Sequence, residues 1–152
     1  IRDSVLKKNI IPILVGVLIG SIVSMLLAIG LTKVLGLGKE LTVSLVPQSI
    51  TTAIAISLSG EYQGIVALTA ITVVIRGVTG AVIAPLVMKI FKITDPVAQG
   101  VAIGTASHAV GTSEARKMGE VQGAMSGLSI AIAGIMTVIL MPVAIMIVGI
   151  VF

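Results

Sequence analysis

The sequence predicts an all-α polytopic membrane protein, in which spanning helices are combined with two broken, re-entrant helical segments arranged as an inverted repeat. Of the 152 residues, 57% are hydrophobic and only 11% are charged, which is far from the composition of a soluble domain. Three uninterrupted apolar runs are long enough to cross a hydrocarbon core of roughly 30 Å. We therefore expect one transmembrane domain over residues 1–152, surrounded by the lipid bilayer.

The three predicted spans cover residues 10–31, 64–91 and 123–150. Two other apolar stretches are interrupted, residues 41–59 by "VPQS" at 46–49 and residues 96–118 around His108. Each interruption leaves two arms of about 7 to 11 residues, which reach only the middle of the membrane at the helical rise per residue. Arms of this length predict re-entrant hairpins. The chain begins at Ile1 with no cleavable signal pattern, so we expect it to be the later part of a longer protein.

Basic residues lie at the ends of the apolar runs, where they orient spans toward the cytoplasm. The net charge of +4 therefore indicates membrane topology and not a nucleic-acid partner. If both broken segments turn back, Lys33 and Lys39 are the two basic residues predicted to lie outside. The seven basic residues then predicted to be cytoplasmic are Arg2, Lys7, Lys8, Lys89, Lys92, Arg116 and Lys117. If both segments cross fully, the excess of basic residues on the cytoplasmic side is much smaller. We expect a multi-pass protein of the cell membrane, in particular the bacterial plasma membrane.

A short motif follows each broken segment. "GEYQG" at 60–64 and "GEVQG" at 119–123 both precede a long span that carries a proline in its later part. We interpret residues 41–91 and 95–150 as two copies of one unit, each with a single net crossing. The copies then have opposite orientations, and their hairpin tips meet near the midplane, as in many secondary transporters. Chance similarity of short motifs in a glycine-rich chain is the alternative.

The two tips supply polar groups at membrane depth. Pro47 ends the first arm of one hairpin, and glycines allow the turn in the other. Irregular backbone is tolerated there only if protein or a watery cavity satisfies it, and two helix N-termini facing one small volume suit an anion. The candidate substrate-binding residues are Gln48, Ser49, Thr51, Thr52, Arg76, Thr105, Ser107, His108, Gly111 and Thr112.

Arg76 lies near the centre of the second predicted span. A charge at that depth costs at least ~2.5 kcal/mol unless it faces a cavity or a partner. One interpretation is that the guanidinium binds the carboxylate of a small organic anion bidentately. The other is that it bonds carbonyls freed by the broken helices, or a residue in the missing part of the protein. The sequence leaves both open.

His108, the only histidine, has three interpretations: a substrate hydrogen-bond donor, a group that couples transport to protons, or a neutral side chain that satisfies nearby backbone. A metal site is not expected, because no second histidine, cysteine or carboxylate pair completes a ligand set. A hydrolase triad of Ser107, His108 and Glu114 is not expected either, because the sequence has no nucleophile elbow. We therefore expect neither an enzyme nor a bound cofactor.

Three small-xxx-small patterns, at residues 16–20, 100–104 and 123–127, allow helices to approach closely. They serve either internal packing or dimerisation. Internal packing is the favoured interpretation, and a homo-oligomer, most simply a dimer, is a further expectation.

Three segments carry a resemblance to a known family. "SLVPQSITTAIAISLSGEYQGIVALTA" at 44–70, "GVAIGTASHAVGTSEA" at 100–115 and "GAMSGLS" at 123–129 resemble the LrgB/CidB family. Family members usually have Pro-Lys-Ser and Thr-Thr-Pro where this chain has Gln48 and Ala53. A mechanism in which that lysine neutralises an anion therefore does not transfer. Arg76 replaces an expected small or polar residue, and we hypothesise that it restores the lost charge.

The resemblance implies two kinds of function. Bacterial members are described as holin-like or antiholin-like proteins that modulate murein hydrolase activity and autolysis, with a small membrane partner of the LrgA/CidA type. Plastid relatives exchange glycolate and glycerate, and some bacterial relatives are linked to movement of small carboxylates such as pyruvate. The hypotheses are thus a monocarboxylate carrier or a regulator that acts by oligomerisation. An anion-sized polar site at facing helix breaks favours the carrier.

Overall fold

The computed structural model describes residues 3–152, with side chains described from residue 8 onward. The described chain is all-α and has no strand. Its helices are α1 (Asp3–Val34), α2 (Lys39–Leu45), α3 (Thr52–Glu61), α4 (Val66–Ile90), α5 (Pro96–Met118) and α6 (Glu120–Val151). Three segments are long and apolar enough to cross a membrane: Lys8–Val34, Val66–Ile90 and Glu120–Val151. The predicted fold class and all three predicted spans are confirmed. Arg2 and the side chain of Lys7, which entered the charge count, lie outside the described residues.

Helices α2 and α3 form the first hairpin, hairpin 1, which turns at residues 46–51. The hydroxyl Oγ1 of Thr69 in α4 lies 2.8 Å from the Ser44 carbonyl oxygen in one arm and 2.7 Å from Ser59 Oγ in the other. Ser44 and Ser59 are equally distant in sequence from the turn at Thr51 and Thr52. Two residues so placed meet one partner only if the arms run antiparallel, so the chain returns toward the side from which it entered.

Helix α5 is the second hairpin, hairpin 2, because its backbone reverses at His108 with φ 41° and ψ −135°. Gly104 and Thr112, four residues before and after His108, both meet Ser126 of α6. The Thr112 and Ser126 hydroxyl oxygens are 2.7 Å apart, and a Cβ on Gly104 would lie 2.8 Å from Ser126 Cα. The two arms, 96–107 and 109–118, therefore run side by side in opposite directions.

The two hairpins contact α4 from its opposite ends. Hairpin 1 is bonded to the start of α4, where the Ile65 amide donates to Ser44 Oγ at 2.7 Å. The base of hairpin 2 packs on the end of α4, in a cluster of buried apolar side chains formed by Ala84, Met88, Ile103 and Ala115. Its tip reaches back to Gly77, where His108 lies. The tips thus approach each other near the middle of α4, which is the inverted arrangement that the sequence predicts.

Helices α1 and α6 run parallel to each other and antiparallel to α4. Near their C-terminal ends Lys33 Nζ donates to the Val151 carbonyl. In its first half α1 packs on hairpin 2, with Gly16 facing Val101 and Gly20 facing Thr105. One end of the bundle, the basic side, therefore carries Lys8, Lys89, Lys92, Arg116 and Lys117, whereas Lys33 and Lys39 lie at the opposite side. This distribution is typical of a cytoplasmic basic side.

Glycines allow the closest helix contacts. A Cβ on Gly100 would lie 2.5 Å from the Gln122 carbonyl oxygen, and one on Gly123 would lie 3.1 Å from Arg116 Cα. The predicted small-xxx-small faces therefore serve internal packing, through Gly16, Gly20, Gly100, Gly104 and Gly123. Gly127 differs, because a Cβ there would meet nothing within 4 Å.

Single-cysteine labelling tests this topology, since the chain contains no cysteine. Thr94→Cys and Lys117→Cys mark the two ends of hairpin 2, and Lys39→Cys and Glu61→Cys mark those of hairpin 1. A membrane-impermeant maleimide is expected to label the first pair from the basic side and the second pair from the opposite side, because each hairpin returns to where it began. Labelling of Lys39→Cys and Glu61→Cys from different sides would show that this segment crosses fully.

Candidate functional site

Two cavities adjoin at Arg76, in the middle of α4. The first, which we call the tip cavity, has a volume of about 360 Å³ and is lined by Gln48 of hairpin 1 and by Ala106 and Ser107 of hairpin 2. The second, the α1 groove, has a volume of about 530 Å³ and lies between α1 and the first arm of hairpin 2. Arg76 and Ala106 line both. The structure therefore brings both hairpin tips and Arg76 to one place.

One face of α4 forms the remaining polar wall of the tip cavity. Thr72, Arg76 and Thr79 all line it. Residues spaced by four and three positions share one side of a helix. The sequence analysis singled out Arg76 alone and missed the two threonines. Their spacing from Arg76 was the available signal.

Arg76 is half-buried and bonded to the break in hairpin 2. Its Nε donates to the Ala106 carbonyl oxygen at 3.0 Å. In a continuous helix that carbonyl would accept from the amide four residues later, but the reversal at His108 frees it. A guanidinium carries five N–H groups, so four remain for other partners. Arg76 thus satisfies a freed backbone carbonyl, as one interpretation of the sequence holds, but it uses only Nε to do so. Both Nη groups are left for a ligand.

Among the described residues that line the tip cavity, Arg76 is the only ionisable one. The α1 groove has Asn9 and Asp95 at its far end, where the Asp95 carboxylate accepts from the Ala98 amide at 2.8 Å and so caps α5. The region around Arg76 is accordingly positive and hydroxyl-rich. Such surroundings stabilise a small anion.

His108 is used to dock the tip of hairpin 2 on α4. The residue is only 4% exposed, and its ring Nε2 lies 2.9 Å from the Val73 carbonyl oxygen. Because a carbonyl can only accept, Nε2 carries the proton in this contact. A positive φ in a residue other than glycine costs about 1 to 3 kcal/mol, so packing of the ring holds an unfavourable backbone in place. This is the third interpretation of His108; substrate and proton roles stay predictions.

Three other predicted residues of hairpin 2 lie around this tip. The Thr105 hydroxyl donates to the Val101 carbonyl at 2.8 Å, and its side chain lines the α1 groove. Gly111 lies where the two arms touch, since a Cβ there would be 2.5 Å from Ser107 Cβ. Thr112 donates to the His108 carbonyl at 3.0 Å and meets Ser126. Gly111 and Thr112 therefore hold the hairpin together and do not line either cavity.

Hairpin 1 contributes less of its predicted set to the cavities. Gln48 lines the tip cavity, whereas Ser49, Thr51 and Thr52 line neither cavity. Ser49 is buried, and Thr51 precedes α3 without a side-chain cap. Of the ten predicted residues, Gln48, Arg76 and Ser107 share one cavity and Thr105 lines the adjoining groove. A substrate contact by any of them stays a prediction.

The matching family model is the LrgB-like family, which covers residues 2–147. The chain belongs to the LrgB-like family. It is therefore a membrane protein of that family, as the three quoted motifs predict. No solved structure matches the chain with significance.

Similar proteins come from several bacilli. The chain is 39% identical over 138 residues to the uncharacterized protein YwbG of Bacillus subtilis (strain 168), covering 91% of this chain and 61% of that protein. It is 36% identical over 137 residues to the antiholin-like protein LrgB of Bacillus cereus (strain B4264), covering 90% of this chain and 60% of that protein. The antiholin-like protein LrgB of Bacillus anthracis (strain CDC 684 / NRRL 3495) has the same values. The chain thus spans about three fifths of the length of these relatives.

Gly77→Ala tests the docking of His108. The new Cβ would lie 2.5 Å from His108 Cε1, and overpacking of this kind costs about 1 to 3 kcal/mol. We expect a lower melting temperature in detergent. Gly127→Ala in α6 is the matched control, because it meets no neighbour and gains up to about 1 kcal/mol of helix propensity. In a His108→Ala background the cost of Gly77→Ala should largely disappear, and an undiminished cost would contradict the contact.

Proposed function

We propose that the protein is a carrier of small monocarboxylates, such as glycolate, glycerate or pyruvate, in the bacterial plasma membrane. The observation that carries the proposal is Arg76. It lies at mid-span between two cavities, beside both hairpin tips, with two Nη groups that have no bonded partner in the described structure. An intramembrane charge in this position is typical of a substrate or ion pathway. The proposal includes no chemical step and no cofactor.

The tip cavity supports a monocarboxylate in particular. One guanidinium neutralises one carboxylate, and its planar N–H groups match the two carboxylate oxygens bidentately. Gln48, Thr72, Thr79 and Ser107 add amide and hydroxyl groups around it. These groups suit the hydroxyl or keto oxygen of a small 2-substituted acid. Two large apolar residues, Ile75 and Ile83, also line the cavity and lower the local polarity.

The α1 groove supports access from one side. It extends from Asn9 and Asp95 on the basic side to Thr105 and Arg76 at mid-depth. Two inverted units around a central site are the architecture in which one unit rocks against the other to alternate access. The tip of hairpin 2 is joined to α4 by two hydrogen bonds, from Arg76 and His108, and these bonds link the two units that would move against each other.

Proteoliposome uptake of labelled glycolate and pyruvate tests the carrier. Removing a charged hydrogen-bonding partner costs about 1.5 to 3 kcal/mol, which corresponds to a loss of about 10- to 150-fold in affinity. We expect Arg76→Gln to lose saturable uptake by this factor, and Arg76→Lys to retain part of it because the charge stays but the bidentate fork does not. Arg116→Gln, an exposed arginine on the basic side, is the control. Saturable uptake that is unchanged in Arg76→Gln would exclude Arg76 as the anion site.

A second candidate function is regulation of the antiholin-like kind. It is favoured by the names of the relatives in Bacillus cereus and Bacillus anthracis, which are called antiholin-like protein LrgB. In this function the protein assembles as a homo-oligomer or with a small membrane partner of the LrgA/CidA type. Gly16 and Gly20 are used against hairpin 2, so the contact surface would be the lipid-facing sides of the long helices. Exposed residues such as Ile135, Ile139 and Met146 of α6 form one such side.

Autolysis measured in cells separates the two functions. Arg76→Gln is expected to weaken both uptake and lysis control if the regulatory effect follows from carboxylate flux. The control is Ile135→Ala with Ile139→Ala on the exposed face of α6, which leaves the tip cavity intact. Normal lysis control in Arg76→Gln, together with its loss in the α6 variant, would favour the regulator over the carrier.

A further inference from the structure

A third cavity lies at the basic side, between the end of α4 and the base of hairpin 2, away from Arg76. This base cavity has a volume of about 540 Å³, within the usual range of sites for small molecules. Its apolar wall consists of Pro85, Met88, Ile93 and Met118. Lys89 and Lys92 line the same cavity. It thus combines an apolar interior with two positive charges.

The two lysines supply the charged groups of this cavity, and Thr94 adds a hydroxyl group to its lining. Gln99 also lines the cavity, but its Nε2 donates to the Ile93 carbonyl at 2.7 Å and its Oε1 accepts from Gln122 Nε2 at 3.0 Å. Its amide therefore fixes the wall. Neither Lys89 nor Lys92 has an ion-pair partner in the part of the chain that the structure describes, where Glu114 pairs with Lys117.

The backbone that carries the lysines is well defined. Lys92 adopts φ 52° just after α4, and the Ile93 amide donates to the Met88 carbonyl at 2.9 Å, which is the hydrogen bond of a Schellman cap. This cap turns the chain from α4 toward α5 and places both lysines at one edge of the base cavity. The acidic residues nearest in sequence to the base, Asp95 and Glu120, do not line the cavity.

We propose that the base cavity binds an anionic glycerophospholipid from the leaflet on the basic side. The phosphate lies between the ammonium groups of Lys89 and Lys92, and one acyl chain follows the apolar wall past Pro85. Beyond that wall, Val82 and Leu86 of α4 are 73% and 58% exposed. The acyl chain therefore continues directly onto a lipid-facing surface. Basic pockets between spanning helices at the cytoplasmic interface are suited to such headgroups.

Charge complementarity favours this occupant over a zwitterionic lipid. Each basic residue near an anionic lipid surface strengthens binding by about fivefold, so two contribute about 25-fold. A free phosphate ion offers the same chemistry to the lysines but does not use the apolar wall. The lipid is therefore distinguished from the ion by its need for acyl chains.

The test uses the intact membrane protein, purified in a neutral detergent and titrated with short-chain phosphatidylglycerol, phosphatidylcholine or inorganic phosphate. We expect phosphatidylglycerol to bind, and Lys89→Gln with Lys92→Gln to weaken it about 25-fold. Lys89→Arg with Lys92→Arg keeps the charges and is expected to bind normally. Lys33→Gln with Lys39→Gln makes the same charge change at the opposite side and is the matched control.

The remaining outcomes would overturn the proposal. Equal binding of phosphatidylcholine would show that charge does not select the ligand. Full binding by the double glutamine variant would place the lipid elsewhere. Displacement of phosphatidylglycerol by inorganic phosphate at the same concentration would identify a free-anion site. None of these results bears on uptake through the tip cavity, because Lys89 and Lys92 line neither the tip cavity nor the α1 groove.

Discussion

The structure depends on how backbone groups freed by two helix breaks are satisfied at membrane depth. Lipid offers these groups no hydrogen bonds, so other groups of the protein must supply them. For the break in hairpin 2 the middle of α4 supplies the partner: Arg76 donates to the Ala106 carbonyl, and Gly77 leaves room for the ring of His108. The turn of hairpin 1 is bonded locally, where the Gln48 amide donates to the Leu45 carbonyl and the Ile50 amide to the Pro47 carbonyl. Gly80 similarly leaves room for Ser107, whose side chain would collide with any Cβ there. The hairpins enter from the two ends of α4 and both tips reach this turn, so the cavities around Arg76 form there.

Buried hydroxyl groups hold each hairpin to its neighbouring span. Thr69 joins Ser44 and Ser59 in the first unit, and Thr112 joins Ser126 to hairpin 2 in the second. Hydrogen bonds of this kind between membrane helices contribute about 0.6 kcal/mol each on average. Both hairpins are thus tied to spans by a few modest bonds and by glycine packing. This combination suits elements that keep their own shape while they shift against a scaffold.

Much of this fold was predictable from sequence, because it depends on periodicity, length and charge placement. The three spans, the breaks near Pro47 and His108, and the opposite entry of the two hairpins all follow from such patterns. The site was only partly predictable. Arg76 and Ser107 stand out by residue type, but Thr72 and Thr79 line the tip cavity only because α4 turns that face toward the tips. His108 shows the limit most clearly, since its partner, the Val73 carbonyl, is a backbone group in another helix.

The central claim is that the tips of two oppositely oriented hairpins share one cavity beside Arg76. Cross-linking of Gln48→Cys with Ser107→Cys by a short bifunctional thiol reagent tests it most directly, since the chain has no other cysteine. A matched pair, Lys39→Cys with Ser107→Cys, joins the same hairpins but uses the base of hairpin 1. In intact membranes we predict that nearly all of the protein with the first pair becomes cross-linked. We predict no cross-linking of the second pair. Cross-linking of the second pair alone would show that the tips do not meet.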